Sequence, residues 1–185
     1  LELVLLCHPA TRAMKTGRFP VGDEPADDTP HAPLPADDTA RVISSPARAA
    51  REMAACIAPD VDIDAAFDDI DYGSWRGRSI RELADGEAAQ LSAWLTDPRA
   101  RPHGGESIGM LAVRVVEGLD RIEREMRGER CIVVTHGIVV KVAVAHAQRK
   151  PLTSVYAMNF APCSITVLTR SRSAQDWTVS LFPPA

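Results

Sequence analysis

Two short, wholly apolar runs each end in a histidine, and this pairing constrains the fold of the chain more than any other feature. Residues 1–7 read LELVLLC and are followed by His8; residues 131–135 read CIVVT and are followed by His136. Runs without polar alternation suit strands buried on both faces, as in a parallel sheet covered by helices. Ligands bind such sheets beyond the carboxyl ends of the strands, where both histidines would stand. From these residues alone, a rim site and two strand-ending hydrogen bonds are equally good readings.

The intervening sequence supplies helices. Ser45-Pro46 reads as an N-cap with proline at the first helical position, opening a helix to about Ala58. A second helix is predicted over residues 79–95, with Ile80, Leu83, Ala84, Leu91, Trp94 and Leu95 on one face. A third starts near Glu106-Ser107 and ends before Gly128, with Ile108, Leu111, Ala112, Val115, Leu119, Ile122 and Met126 at three- and four-residue steps. An apolar helix follows His136-Gly137 to about Ala147. Further strands are expected at 41–44, 163–169 and 177–182. Residues 8–40, rich in Pro, Asp and Thr, read as one long loop, and 67–77 as an irregular aromatic segment. Alternating strands and helices over 185 residues predict one domain, 1–185. Its expected architecture is a three-layer α/β sandwich with a mostly parallel central sheet and helices on both faces.

Composition excludes some classes. A net charge of −4 and a pI of about 5.7 argue against a nucleic-acid or anionic-membrane surface. No apolar run approaches the roughly 20 residues that span a bilayer. The opening run is too short for a signal-peptide core, and the absent initiator Met suggests a processed start. Cys7, Cys56, Cys131 and Cys163 lack the paired spacing of a zinc site, so reduced thiols in a cytoplasmic protein without metal or cofactor are expected. A homodimer is compatible with the sequence.

Five stretches, in order, carry a resemblance. They are Cys7-His8-Pro9-Ala10-Thr11 with Gly17-Arg18, SSPARAAREMA at 44–54, DIDYGSWRG at 69–77, Gly-Gly-Glu-Ser at 104–107, and Thr135-His136-Gly137. Together the chain resembles the histidine phosphatase superfamily, the phosphoglycerate-mutase-like group. The resemblance implies His8 as the nucleophile that becomes phosphohistidine, Asp69 as the acid that protonates the leaving alcohol, and His136 as a phosphate binder. It also implies phosphate or substrate contacts from Thr11, Arg18, Glu106 and Gly137. The partner it implies is a small phosphorylated substrate or phosphate. The two histidines should then lie at one sheet edge, with ring nitrogens within about 5–8 Å of each other, close enough to share a phosphoryl group.

The departures fall in the phosphate pocket. The motif arginine is Cys7, its glycine is Pro9, the helix arginine aligns with Ala49, and the acid is Asp69 in place of Glu. Phosphoryl transfer is catalysed mainly by positioning and electrostatics, so two missing cations predict weak activity. Arg48, one residue before Ala49, is the candidate replacement, with Arg18; Arg12 and Arg51 read as surface charges, and Trp75 as a packing residue. Two other readings remain. One is a cysteine phosphatase through Cys7 and Arg12, whose Cys-x4-Arg spacing is one residue short and whose loop lacks glycine. The other is a catalytically inactive binding protein on the phosphatase fold.

Overall fold

Alternation along the two apolar runs divides their side chains between the faces of one sheet. In the computed structural model, which describes residues 1–29, 33–34, 39–126, 130–170 and 176–182, the strands are β1 (Glu2–Cys7), β2 (Arg41–Ser44), β3 (Asp62–Ile63), β4 (Arg130–Thr135), β5 (Ile165–Thr169) and β6 (Thr178–Phe182). Their order is β3-β2-β4-β1-β5-β6. The first four run parallel, and β5 and β6 add antiparallel strands at one edge.

Leu3, Leu5, Cys131 and Val133 face one layer, where they pack with α5 (Ile108–Glu125) and α6 (Gly137–Ala147). Val4, Leu6, Ile132 and Val134 face the other, against Ala50, Met53 and Ala54 of α2 (Arg48–Ala54). Successive strand residues point to opposite faces, so a run buried on both sides must be apolar throughout. This is the expected three-layer sandwich. α5 shows why a helical period was legible: Ile108, Leu111, Val115, Leu119 and Ile122 are all buried along one stripe.

Several boundaries differ from the sequence reading. The long loop holds a one-turn helix, α1 (Arg12–Lys15), capped by the Thr11 hydroxyl. α2 begins at Arg48 instead of Ser45, and the Ser45 hydroxyl is turned toward groups outside the helix. The expected helix over 79–95 is two, α3 (Ile80–Gly86) and α4 (Ala88–Trp94), broken at Glu87 with φ −136° and ψ 39°. Gly86 weakens the helix there, and the Glu87 carboxylate accepts from the indole N–H of buried Trp75 at 3.1 Å and from Arg78. The expected stop at Gly128, and residues 30–32 and 35–38 of the long loop, lie outside the described residues.

One backbone crossing shapes the wall of the histidine edge. Gly73 (φ +49°) passes against residues 103–105, and a Cβ on it would stand 2.1 Å from the His103 carbonyl oxygen. A Cβ on Gly105 would stand 2.1 Å from the Asp71 carbonyl oxygen. Only glycine at both positions lets the two segments pass this closely.

Candidate active site

Strand register places the site. Cys7 pairs with Thr135 in the parallel β1–β4 ladder, so the next residues, His8 and His136, emerge side by side. The His8 N–H donates to the Thr135 carbonyl at 2.9 Å and continues the ladder by one bond. On the other side of β4, Ser44 pairs with Val134, and the Ser45 N–H donates to the Val134 carbonyl at 2.9 Å. Ser45, His136 and His8 are therefore the first residues beyond three neighbouring strands.

Their side chains form a hydrogen-bonded row. The His8 ring meets the Pro9 carbonyl through Nδ1 at 2.7 Å and the His136 Nδ1 through Nε2 at 3.1 Å. A carbonyl only accepts, so His8 Nδ1 carries the proton and the Nε2 lone pair faces His136. The ring nitrogens lie well within the limit of about 5–8 Å expected, because a parallel register sets the two strand ends directly abreast. The other His136 nitrogen, Nε2, lies 2.8 Å from the Ser45 hydroxyl, which lies 3.0 Å from Asp68 Oδ1. Ser45 has one proton for two neighbours. Burial, reinforced by the His136 charge, pushes the His8 pKa down to about 4, so its imidazole is neutral near pH 7.

Two adjacent carboxyls are driven apart. Asp69 is raised above the ordinary carboxylate range by burial, which outweighs the opposing influence of His136 and its hydrogen bonds from the Ile70 N–H and the Tyr72 hydroxyl. At Asp68 burial also acts upward, but hydrogen bonds from His136, the Asp69 N–H and Ser45 together hold its carboxyl low. Neighbouring carboxyls separated in this way mark the acid and the anion of a pair. Asp69 Oδ2 lies 3.9 Å from His136 Nδ1. The acidic segment is tied to the strand end by the Thr135 hydroxyl, which donates to the Phe67 carbonyl at 2.6 Å.

These groups line a cleft of about 660 Å³. It brings together His8, Asp69, His136, Thr11, Arg18 and Gly137 of the residues expected from sequence. Thr11 is buried and occupied in capping α1. Arg18 reaches the cleft while donating to the Gly77 carbonyl at 2.9 Å and facing Glu82 at 3.5 Å. A Cβ on Gly137 would meet the Phe160 carbonyl oxygen at 3.5 Å and its Cβ at 4.0 Å, both ordinary contacts, so packing does not demand glycine there.

The remaining two expected residues are placed elsewhere. Arg48 points away, paired with Glu52 at 2.7 Å one helical turn on, and lines a separate surface depression. Glu106 is engaged by Arg114 through both oxygens at 2.8 Å and does not line the cleft. Cys7 is part of the core, its thiol pushed up to about 11 by burial. A protonated, buried thiol is a poor nucleophile, which removes the support for cysteine chemistry.

Sequence reasoning missed Ser45, Asp68 and Lys141. Ser45 reads in sequence as a helix cap, and Asp68 falls in the 67–77 segment, which shows only as irregular and aromatic. Lys141 had a visible signal: in α6, GIVVKVAVAHA, it is the one charge before the final turn. Met14, Phe19, Ile80, Trp94 and Phe160 add apolar surface to the lining of the cleft. Among the described residues no group of His, Cys, Asp and Glu is arranged to hold a metal ion, and no helix is long and apolar enough to cross a membrane.

Comparison with known proteins adds an independent finding. Residues 29–182 match the family model of the histidine phosphatase superfamily (branch 1). A "bifunctional protein" of Mycobacterium tuberculosis is 30% identical over 132 residues, covering 69% of this chain and 36% of that protein. A metal-independent phosphoserine phosphatase of Arabidopsis thaliana is 35% identical over 88 residues, covering 46% of this chain and 37% of the relative. The chain thus matches little more than a third of the length of these curated relatives. A mycobacterial glucosyl-3-phosphoglycerate phosphatase, solved in complex with VO3, shares the fold with a TM-score of 0.81 at 20% identity, covering 100% of this chain and 99% of that one.

Proposed function

The chain belongs to the histidine phosphatase superfamily, and from that membership we propose that it hydrolyses small phosphomonoesters through a phosphohistidine on His8. The observation that carries this reading is the His8 ring, held neutral by burial with its Nε2 lone pair turned into the cleft. Nε2 attacks phosphorus, and the bond from phosphorus to the ester oxygen breaks. The Asp69 carboxylic acid gives its proton to the departing alkoxide. The resulting Asp69 carboxylate then takes a proton from water, whose oxygen attacks phosphorus. The P–N bond breaks, inorganic phosphate leaves, and His8 is restored.

An incoming phosphoryl group must displace His136 from its contact with His8, after which the His136 ring binds a phosphoryl oxygen. Gly137 and Ile138 open α6 beside it, and the residue before them provides no side-chain cap. First-turn N–H groups left uncapped favour an anion there. The apolar part of the lining receives the leaving group. With Cys7 and Ala49 where the resemblance expects arginines, and Arg48 turned away, turnover of generic esters is expected to be slow by orders of magnitude. The relatives named for phosphoserine and glucosyl-3-phosphoglycerate illustrate the substrate size that fits this reading.

Replacing Asp69 by Asn tests the assignment of the acid. The variant is expected to lose about 10²-fold or more on alkyl phosphates, and less than about tenfold on p-nitrophenyl phosphate, whose leaving group needs little protonation. Equal losses on both would move the acid role to another group.

The pH profile supplies a second test. Turnover requires His8 without its added proton and Asp69 with its proton. Activity should therefore persist as pH falls well below the ordinary histidine value of 6.5 and collapse only near His8's own pKa of about 4. It should decline on the alkaline side as Asp69, raised by burial, ionises. In Asp69→Asn that alkaline decline should disappear; a decline unchanged in the variant would assign it to another group.

A further inference from the structure

The cleft holds a cation, Lys141, that has no ion-pair partner among the described residues. Lys141 lines it together with His8, His136 and Gly137. It follows Gly137 by four residues in α6, so the two share a helix face about 6 Å apart along the axis. Helical side chains lean toward the N-terminus of their helix, so the Lys141 stem leans toward the end of α6 that follows His136.

The other cleft cations are engaged: Arg76 pairs with Asp71 at 2.8 Å, and Arg18 faces Glu82 at 3.5 Å. Lys141 is half-buried, and among the described residues no carboxylate lies within ion-pair distance of it. Burial alone draws its pKa below the usual lysine range. An ammonium withdrawn from water without a counter-charge costs stability, and such uncompensated groups in clefts mark places where a ligand brings the missing charge.

We propose that Lys141 binds the phosphoryl group, supplying from α6 the positive charge that the resemblance assigns to arginines at positions 7 and 49. The inference rests on the reading of the cleft as a phosphomonoester site. As His8 Nε2 approaches phosphorus, the Lys141 ammonium hydrogen-bonds one equatorial oxygen and the His136 ring another. The charge on those oxygens is offset from two sides, opposite the acidic wall of Asp68 and Asp69.

Inorganic phosphate is the direct probe, measured by calorimetry with the wild type, Lys141→Met and Lys141→Arg. Loss of a charge-assisted contact predicts affinity at least about tenfold weaker in Lys141→Met, with recovery to within about threefold in Lys141→Arg. On p-nitrophenyl phosphate, kcat should fall more than KM rises in Lys141→Met. The melting temperature of Lys141→Met should equal or exceed that of the wild type, because an uncompensated charge has been removed. Should Lys141→Met fold poorly, Lys141→Gln provides the same comparison. Wild-type phosphate affinity in the neutral variants, failure of arginine to restore binding, or no phosphate binding by the wild type at about 10 mM overturns the inference. Phosphate binding that depends on Lys141 in a wild type that turns over no ester would instead overturn the hydrolase reading and leave this one standing.

Discussion

Replacing His8 by asparagine is expected to abolish ester hydrolysis, lowering kcat/KM by roughly 10⁴-fold or more while the chain stays folded. The size of the effect follows from the chemistry proposed for the side chain. In the proposed reaction His8 provides the only covalent link between protein and phosphoryl group between the two half-reactions, so no neighbouring group can take over a fraction of its work. His136 stands 3.1 Å away, but its Nδ1 faces His8 and carries the proton of that hydrogen bond, leaving no lone pair toward substrate. The Cys7 thiol is buried and protonated. Labelled substrate should leave an acid-labile, alkali-stable phosphoryl group on the wild type and none on His8→Asn. The variant should still bind inorganic phosphate, since His136, Lys141 and the start of α6 remain. Residual turnover within about tenfold of the wild type would show that the reaction does not pass through His8. Turnover lost together with phosphate binding would point to a collapsed cleft, and the labelling result on the wild type would then decide.

The sequence made some of this arrangement legible and concealed the rest for identifiable reasons. β1 and β4 were readable because burial on both faces demands an unbroken apolar run, and His8 and His136 stood out as the residues that end those runs. What the sequence does not encode locally is register. The ladder Cys7–Thr135 turns two histidines at one edge into a 3.1 Å contact, and it depends on residues 128 apart in the chain. The same limit hid Ser45 and Asp68. A serine before a proline-led helix looks like a cap, and one aspartate among several looks solvated, until the third strand end brings both to His136.

Arg48 and Glu106 lie outside the cleft lining for a related reason. Each has the right residue type beside a motif, but Glu52 lies one helical turn from Arg48, and Arg114 reaches Glu106 from the second turn of α5. A charged residue follows its strongest partner, and that partner is visible only once the chain is folded. The break at Glu87 has the same origin, since local periodicity favoured one helix and a buried indole N–H drew the carboxylate inward.

Arg114 leads to the second large effect, on stability and on the acid together. Its guanidinium holds both oxygens of Glu106 at 2.8 Å and donates to the carbonyls of Ala65, Ala66, Asp68 and Asp69 at 2.8–3.2 Å. One side chain thus fixes the backbone that carries both cleft carboxyls, and it does so from a rigid helix. Replacing Arg114 by methionine keeps the stem but strips four carbonyls of a donor and leaves a mostly buried Glu106 carboxylate, 15% exposed, without its cation. Removing one partner of a largely buried pair typically costs about 3–5 kcal/mol; solvent reaches part of this one, which places the expected loss near 2–4 kcal/mol by denaturant unfolding. Lysine should recover little of it, because a single ammonium cannot reproduce a planar fork serving six oxygens. Removing Glu106 as well should then cost less than the separate losses combined, since the double variant no longer leaves an unpaired carboxylate. The functional consequence should be selective. A loosened segment displaces Asp69 while leaving His8 and His136 on their strands, so Arg114→Met should lose activity mainly on alkyl phosphates and much less on p-nitrophenyl phosphate. Phosphate affinity, which depends on α6 and the histidines, should change little. If activity on both esters and phosphate binding fall in parallel at a temperature where the variant is fully folded, Arg114 supports the whole cleft and not the acid segment in particular.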